Sequence, residues 1–250
     1  MITTDSAFAS EESMSLQAAV MLYANNSGSA FATVHNIYTD EQTGAPCLLE
    51  GHPLTIKILN DLTATLAKGS KSAQSFNGYL PETVLAVGVN SIVWWIPAAD
   101  RTVSFACRDN ETIGTRSGKT PHPSLVFAVN EQGWSVYAIK GNKRPTPETR
   151  LWQAPYFNTY KSGKICVGST QTPAGATTIL IDGWNKAFFA SSFSHPNIHE
   201  RGYLVKSGSP YDLWRDLLDG KHKAFPQRQL VATKVTLNDF IKSTVNGESL

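Results

Sequence analysis

Apolar and polar positions alternate with a period of two along much of this chain, and two such runs open it. Residues 16–23 and 30–38 read as strands, and Asn25-Asn26-Ser27-Gly28 between them supplies the turn chemistry of a hairpin. The next turn, Thr43-Gly44-Ala45-Pro46, leads into residues 54–68, where the period changes. There Leu54, Ile58, Leu62, Thr65 and Leu66 fall at helical spacing and Gly69 supplies a stop, which predicts an amphipathic helix. Residues 69–78 are rich in Ser and Gly and read as a linker or exposed loop.

The middle is strand-rich. Short β-type runs at 83–89, 91–96, 102–107, 124–129 and 134–140 are separated by turn residues, which predicts an antiparallel meander. Around Asn130-Glu131-Gln132-Gly133 the pattern is that of a hairpin. Trp94 and Trp95 then point to opposite faces of the sheet. Residues 141–157 carry Pro145, Pro147 and Pro155 without a period, and are expected to form an irregular crossing held by proline. Helices are predicted over 176–193, weakened by Gly183, over 210–218, and over 236–243 with Thr236 as N-cap. The fold class is α+β. Three divisions follow: 1–78, a β-hairpin plus helix; 79–205, the core; 206–250, C-terminal helices packing on the core.

Composition narrows the class. Of the 250 residues 41% are hydrophobic and 17% charged, enough for a core and unlike a disordered chain. The longest apolar runs, such as 92–99 with Pro97 inside it, fall short of a membrane span. Residues 1–10 lack the basic start and apolar stretch of a signal peptide, and the three cysteines are an odd count. The expectation is a soluble cytoplasmic protein with free thiols. Net charge is +2, but residues 1–100 hold 3 Lys+Arg against 9 Asp+Glu, and residues 101–250 hold 19 against 11. The basic positions are dispersed and no nucleic-acid motif accompanies them, so neither nucleic acid nor membrane is expected as a partner. Cys47, Cys107, His35, His52 and His122 lack metal-ligand spacing; no metal and no cofactor is expected. Phosphate-binding glycine loops and serine nucleophile elbows are absent.

Chemistry concentrates in residues 155–169. Cys166 lies eight residues after Asn158, and Lys161-Ser162-Gly163 forms a turn between them. Gly163 accepts positive φ, so the chain can double back and return the thiol toward the amide. An Asn side chain donates hydrogen bonds without charge, which suits a developing oxyanion. A thiol beside it suits acyl transfer, because thiolate is a strong nucleophile and a thioester is readily attacked.

This segment resembles the active-site segment of ubiquitin-conjugating enzymes. In that family Gly and the catalytic Cys follow an Asn at fixed spacing, and Asn158, Gly163, Ile165, Cys166 and Val167 fall in the same register. The preceding order of helix, antiparallel meander and proline-rich crossing matches as well. Tyr156-Phe157 depart from the family's His-Pro, whose His organises the loop. More broadly, Trp94-Trp95-Ile96-Pro97-Ala98, residues 155–169 and residues 187–195 resemble the divergent bacterial conjugating-enzyme-like family typified by PRTRC system protein B. The resemblance implies a ubiquitin-conjugating-like fold and a ThiF-like adenylating enzyme and a small ubiquitin-like protein as partners. It also implies a thioester on Cys166, discharged to an amine on an acceptor protein, with Asn158 stabilising the oxyanion.

His195-Pro196-Asn197 spells the family's tripeptide, but after the cysteine, so the Asn role is not carried to Asn197. His195 itself is a candidate for organising the site or easing deprotonation of the acceptor. Two other readings stand beside this one. Cys166 with His195 or His199 is also the donor set of a Cys-His hydrolase, although the extended look of Ile165-Cys166-Val167 is unlike a nucleophile at a helix start. An inactive relative would instead bind its partners without chemistry. For single residues the bland alternatives are a buried thiol at Cys166, a turn former at Asn158, a helix cap at His195 and loop packing at Tyr156. Asp182 and Trp184 follow on the next helix, where ordinary helix packing is the expected role and lining the site the alternative.

Overall fold

Strand β5, Ser91–Ile96, is buried along its whole length, and the fold is built outward from it. The computed structural model describes residues 16–25, 30–69, 80–108 and 110–247. These fall into two units, residues 1–75 and 76–250.

In the first unit β1 (Ala18–Ala24), β2 (Ala30–Thr39) and β3 (Pro46–Pro53) form an antiparallel sheet in the order β1-β2-β3. The hairpin expected from alternation is present, with Val20 opposite Val34 and Tyr23 opposite Phe31, whose rings stack. Its tip, residues 26–29, lies outside the described residues. One expectation is corrected here: the turn at 43–46 does not lead straight to a helix but into β3. That strand is an edge bounded by Pro46 and Pro53, where proline's missing N–H does no harm. Helix α1, Ile56–Gly69, follows, with the Thr55 hydroxyl accepting the Ile58 N–H. The expected linker lies outside the described residues from 70 onward.

In the second unit a six-stranded antiparallel sheet runs β12-β10-β9-β8-β5-β4. Its strands are β4 (Val84–Gly88), β5, β8 (Ser124–Asn130), β9 (Gly133–Ile139), β10 (Arg150–Gln153) and β12 (Ala232–Thr236). Alternation sorts the strand side chains onto two faces. Trp94, Phe127, Val136 and Ala138 face one core; Trp95, Val126, Tyr137 and Ile139 face the other. Trp94 and Trp95 thus point to opposite sides, as read from sequence. On the second face sits α4, Leu237–Asn246, through Leu237 and Phe240. Thr236 caps it, and Asp239 returns the bond to the Thr236 N–H at 3.0 Å, closing a capping box.

The first face carries α2 (Ile181–Ala190), α3 (Pro210–Leu218) and a second sheet of β11 (Ser192–Phe193), β6 (Ala99–Ala106) and β7 (Thr115–His122). So the meander is not continuous, because β6 and β7 leave the main sheet between β5 and β8 to build this smaller one. The expected helix over 176–193 is also shorter. A 3-10 turn, Thr178–Leu180, precedes α2, and Ser191 turns extended so that Ser192–Phe193 can pair in parallel with β6. Nor is the proline-rich crossing irregular throughout, since β10 lies within it between β9 and β12. The architecture is mixed, with mainly antiparallel sheets and few helices, and is compatible with the fold class expected from sequence.

Candidate active site

Beyond Gln153, where β10 ends, the chain is pinned residue by residue. The Trp214 indole donates to the Pro155 carbonyl at 2.7 Å. Tyr156 and Phe157 are buried among aromatic rings of β6, α2 and α3. The buried Thr159 hydroxyl stands 2.7 Å from the Tyr156 carbonyl, and the Gln153 amide donates to the Tyr160 carbonyl at 3.1 Å. The Trp214 bond gives the buried Pro155 carbonyl a partner, and the other two add a side-chain donor to carbonyls that already accept a backbone N–H.

From here the chain reverses. Gly163 donates its N–H to the Tyr160 carbonyl at 2.9 Å, and Tyr160 donates to Lys164 at 2.8 Å. Gly163 takes φ +78, and a Cβ there would lie 2.5 Å from the Tyr137 ring, so the turn needs glycine on both counts. The returning segment docks on β9, with Val136 N–H donating to Gly163 and Ile165 N–H to Trp134, each at 2.8 Å. Thr159 pairs antiparallel with Ile165, and the Cys166 N–H donates to the Asn158 carbonyl at 2.7 Å.

That register decides which side chains meet. Thr159 and Ile165 are buried on the inner side. Asn158, Tyr160, Lys164 and Cys166 alternate onto the outer side, half-buried or exposed. Asn158 and Cys166, predicted to come together, therefore stand directly across from one another. Cys166 is a free, half-buried thiol. Asn158 Oδ1 is buried and finds no hydrogen-bond partner among the described residues.

Tyr160, not singled out from sequence, shares this face. Its phenol is held above its ordinary value by interaction with the Cys166 thiol group across the loop. Lys161 on the turn pairs with Glu200 at 2.6 Å and lies over the Tyr203 ring. The pairing raises the lysine and lowers the carboxyl from their usual values. The other thiols differ: burial pushes Cys107 up to about 11, and Cys47 is exposed in the first unit.

His195 is exposed, and its Nδ1 lies 2.9 Å from its own neighbour, Ser194 Oγ. Two residues on, the Asn197 N–H donates to the Phe157 carbonyl at 2.8 Å, so the 195–197 tripeptide returns to the loop that holds Asn158. Beyond Val167 opens a cleft of about 380 Å³, walled by Trp134, Pro173, Ala176 and Trp184. Trp184 is buried in the core, the helix packing expected from sequence, and one side of it lines this cleft; Asp182 is not among the lining residues. Among the described residues no group of three His, Cys, Asp or Glu is arranged to hold a metal, and no helix is long and apolar enough to cross a membrane.

No curated protein and no solved structure matches the chain. The family model described as prokaryotic E2 family D matches residues 58–233, which takes in most of α1, the main sheet as far as the start of β12, the reversing loop with its outward thiol, and both α2 and α3. By that match the chain belongs to prokaryotic E2 family D, a bacterial E2-like family.

Proposed function

We propose that this protein is a conjugating enzyme that accepts a small ubiquitin-like protein from a ThiF-type activating enzyme as a thioester on Cys166 and passes it to an amine. Membership of the family supports a role related to ubiquitin conjugation in general. The observation that carries the finer reading is the register that sets Asn158 opposite Cys166 on the outer face of the reversing loop. We place the catalytic core in residues 79–205, the setting in the cytoplasm, and the kinship with the PRTRC-type branch.

The Cys166 thiolate attacks the activated C-terminal carbonyl, and the leaving group departs with the activating enzyme. In the second step an amine of the acceptor attacks the thioester carbonyl and the C–N bond forms. The tetrahedral oxyanion collapses, expelling the Cys166 thiolate, and the amine's proton goes to solvent or to a nearby base. Asn158 is assigned to the oxyanion, because an amide donates hydrogen bonds without charge and its backbone is tied to the Cys166 N–H across the loop. Tyr160 supports the thiolate as it leaves. His195 is assigned to the rim, where an imidazole eases deprotonation of the acceptor. The extended tail of the ubiquitin-like protein is assigned to the cleft beyond Val167. A hydrolase built on Cys166 is less well supported, since the thiol is on extended chain and not at the start of a helix, and the His195 ring bonds to Ser194.

The test mixes the protein with its neighbouring activating enzyme, the ubiquitin-like protein, ATP and magnesium, and resolves the products on non-reducing gels. A reductant-sensitive adduct, lost in Cys166→Ala, is expected. Asn158→Ala should still charge but discharge to lysine ~10²–10³ more slowly, the scale of one oxyanion donor. No adduct from partners shown to be active would sink the reading.

A further inference from the structure

We infer that His122 is a positioning residue for the Cys166 site, holding the Asn158 end of the reversing loop through the hydroxyl of Tyr156. The functional half of this inference rests on the conjugating reading above.

His122 ends β7, in the small sheet, and is 1% exposed; Tyr156 lies on the crossing and is fully buried. The histidine's Nε2 stands 3.1 Å from the Arg101 carbonyl, which can only accept. The ring proton therefore sits on Nε2, leaving Nδ1 as an acceptor. Tyr156 Oη is 2.7 Å from Nδ1, so the phenol donates to the imidazole. Burial and the nearby Arg101 guanidinium keep the imidazole neutral, which this direction of donation needs. Around the pair stand Thr120 at 3.3 Å from Nε2, the edge of Phe189 and the Trp214 ring.

Packing does not require this bond. Tyr156 already meets Phe188, Phe193 and Trp214, and a phenylalanine would fill the same ring position. What the hydroxyl adds is a contact of defined length and direction between two layers, whereas stacked apolar rings can slide. Two residues after it comes Asn158, whose carbonyl receives the Cys166 N–H. Phe157 between them is held by the Asn197 N–H and by the Phe105 and Tyr211 rings. With the Trp214 bond to Pro155 and the Asn197 bond to Phe157, His122 therefore limits how far along its own axis this strand can move against Cys166, and it is the tie made through a side-chain hydroxyl.

Tyr156→Phe, His122→Leu and His122→Asn test it. Asn158→Asp assigns the Asn158 side-chain amide in a ¹H–¹⁵N spectrum, a readout that needs no chemistry. Tyr156→Phe and His122→Leu should both displace that resonance. His122→Asn, whose Oδ1 can take the place of Nδ1, should leave it near its native position. In single-turnover assays both disruptive variants should charge within about twofold of the wild type. Their discharge to amine should fall about tenfold, the scale set by one buried hydrogen bond. The Tyr156→Phe/His122→Leu double variant should be no slower than either single. An unmoved Asn158 resonance in Tyr156→Phe, or charging and discharge falling equally, would overturn the inference. Should the wild type fail to charge, the conjugating reading falls, and the Asn158 resonance alone decides the role of His122.

Discussion

Gly163→Ala tests the turn that brings Cys166 back to Asn158. At φ +78 an alanine is in left-handed conformation, a strain of about 1–2 kcal/mol. The new methyl would also meet Tyr137 Cζ at 2.5 Å and Cε2 at 2.6 Å, well inside contact distance. The tyrosine cannot retreat, because it is 2% exposed, edge-on to Phe240, and bonded through its hydroxyl to the Ser162 carbonyl at 2.9 Å. Relieving such overpacking costs about 1–3 kcal/mol, so the total loss is about 2–5 kcal/mol. Gly168→Ala is the matched control. It also has positive φ, at +54, but nothing lies within 4 Å of its added Cβ, so strain alone remains. The stiffening of the unfolded chain by Gly→Ala is common to both and cancels in the difference. Urea unfolding followed by tryptophan fluorescence should give a midpoint clearly lower for Gly163→Ala than for Gly168→Ala. Thioester formation should fall in the first variant only. Equal losses in the two, within about 0.5 kcal/mol, would refute the reasoning, since the Tyr137 contact would then be worth nothing.

Acid should destabilise the fold through His122. Burial lowers its pKa to about 3, well below the unfolded value of 6.5, so between these the unfolded chain binds a proton that the native chain does not. Stability is then complete above about pH 6.5 and declines as pH falls, by at most about 1.4 kcal/mol per pH unit, and His122→Leu should flatten that slope in urea melts. Asp216, held low by Lys221 and Arg215, acts elsewhere: its contribution is present above the ordinary Asp range and fades only below it. Removing the capping hydroxyl with Thr236→Ala should cost about 0.5–2 kcal/mol in the same melts and leave Cys166 alkylation unchanged.

What the sequence shows and what it hides divide along physical lines. Strands β5, β8 and β9 have neighbours on both sides and faces in the core, so their apolar runs are dense and were read correctly. β3, β7 and β12 were missed, and all three are edges. β7, Thr-Arg-Ser-Gly-Lys-Thr-Pro-His, carries almost no apolar signal, since an edge needs only one row of bonds and few buried side chains. β10 escaped because four residues are too few to display a period. In the site, the spacing from Asn158 through Gly163 to Cys166 was legible because a turn is local. Gln153, Trp214 and His122 were not, since each reaches the loop through a contact distant in sequence. Tyr160 lies inside the segment, and the period of two from Asn158 would have found it.

The pairing of Thr159 with Ile165 has a consequence for how this loop can vary. Side chains alternate on both arms, so the pairing register carries a parity. A slip of the Cys166 arm by one residue against the Asn158 arm would turn the thiol inward, to the side now filled by Ile165, and bring out an aliphatic in its place. A residue inserted at Lys161-Ser162 leaves that register alone, because the returning arm is held separately on β9 through Val136 and Trp134. Functional variants should therefore take up changes of length in the turn, or after Val167 where no strand is paired, and keep Thr159 opposite Ile165.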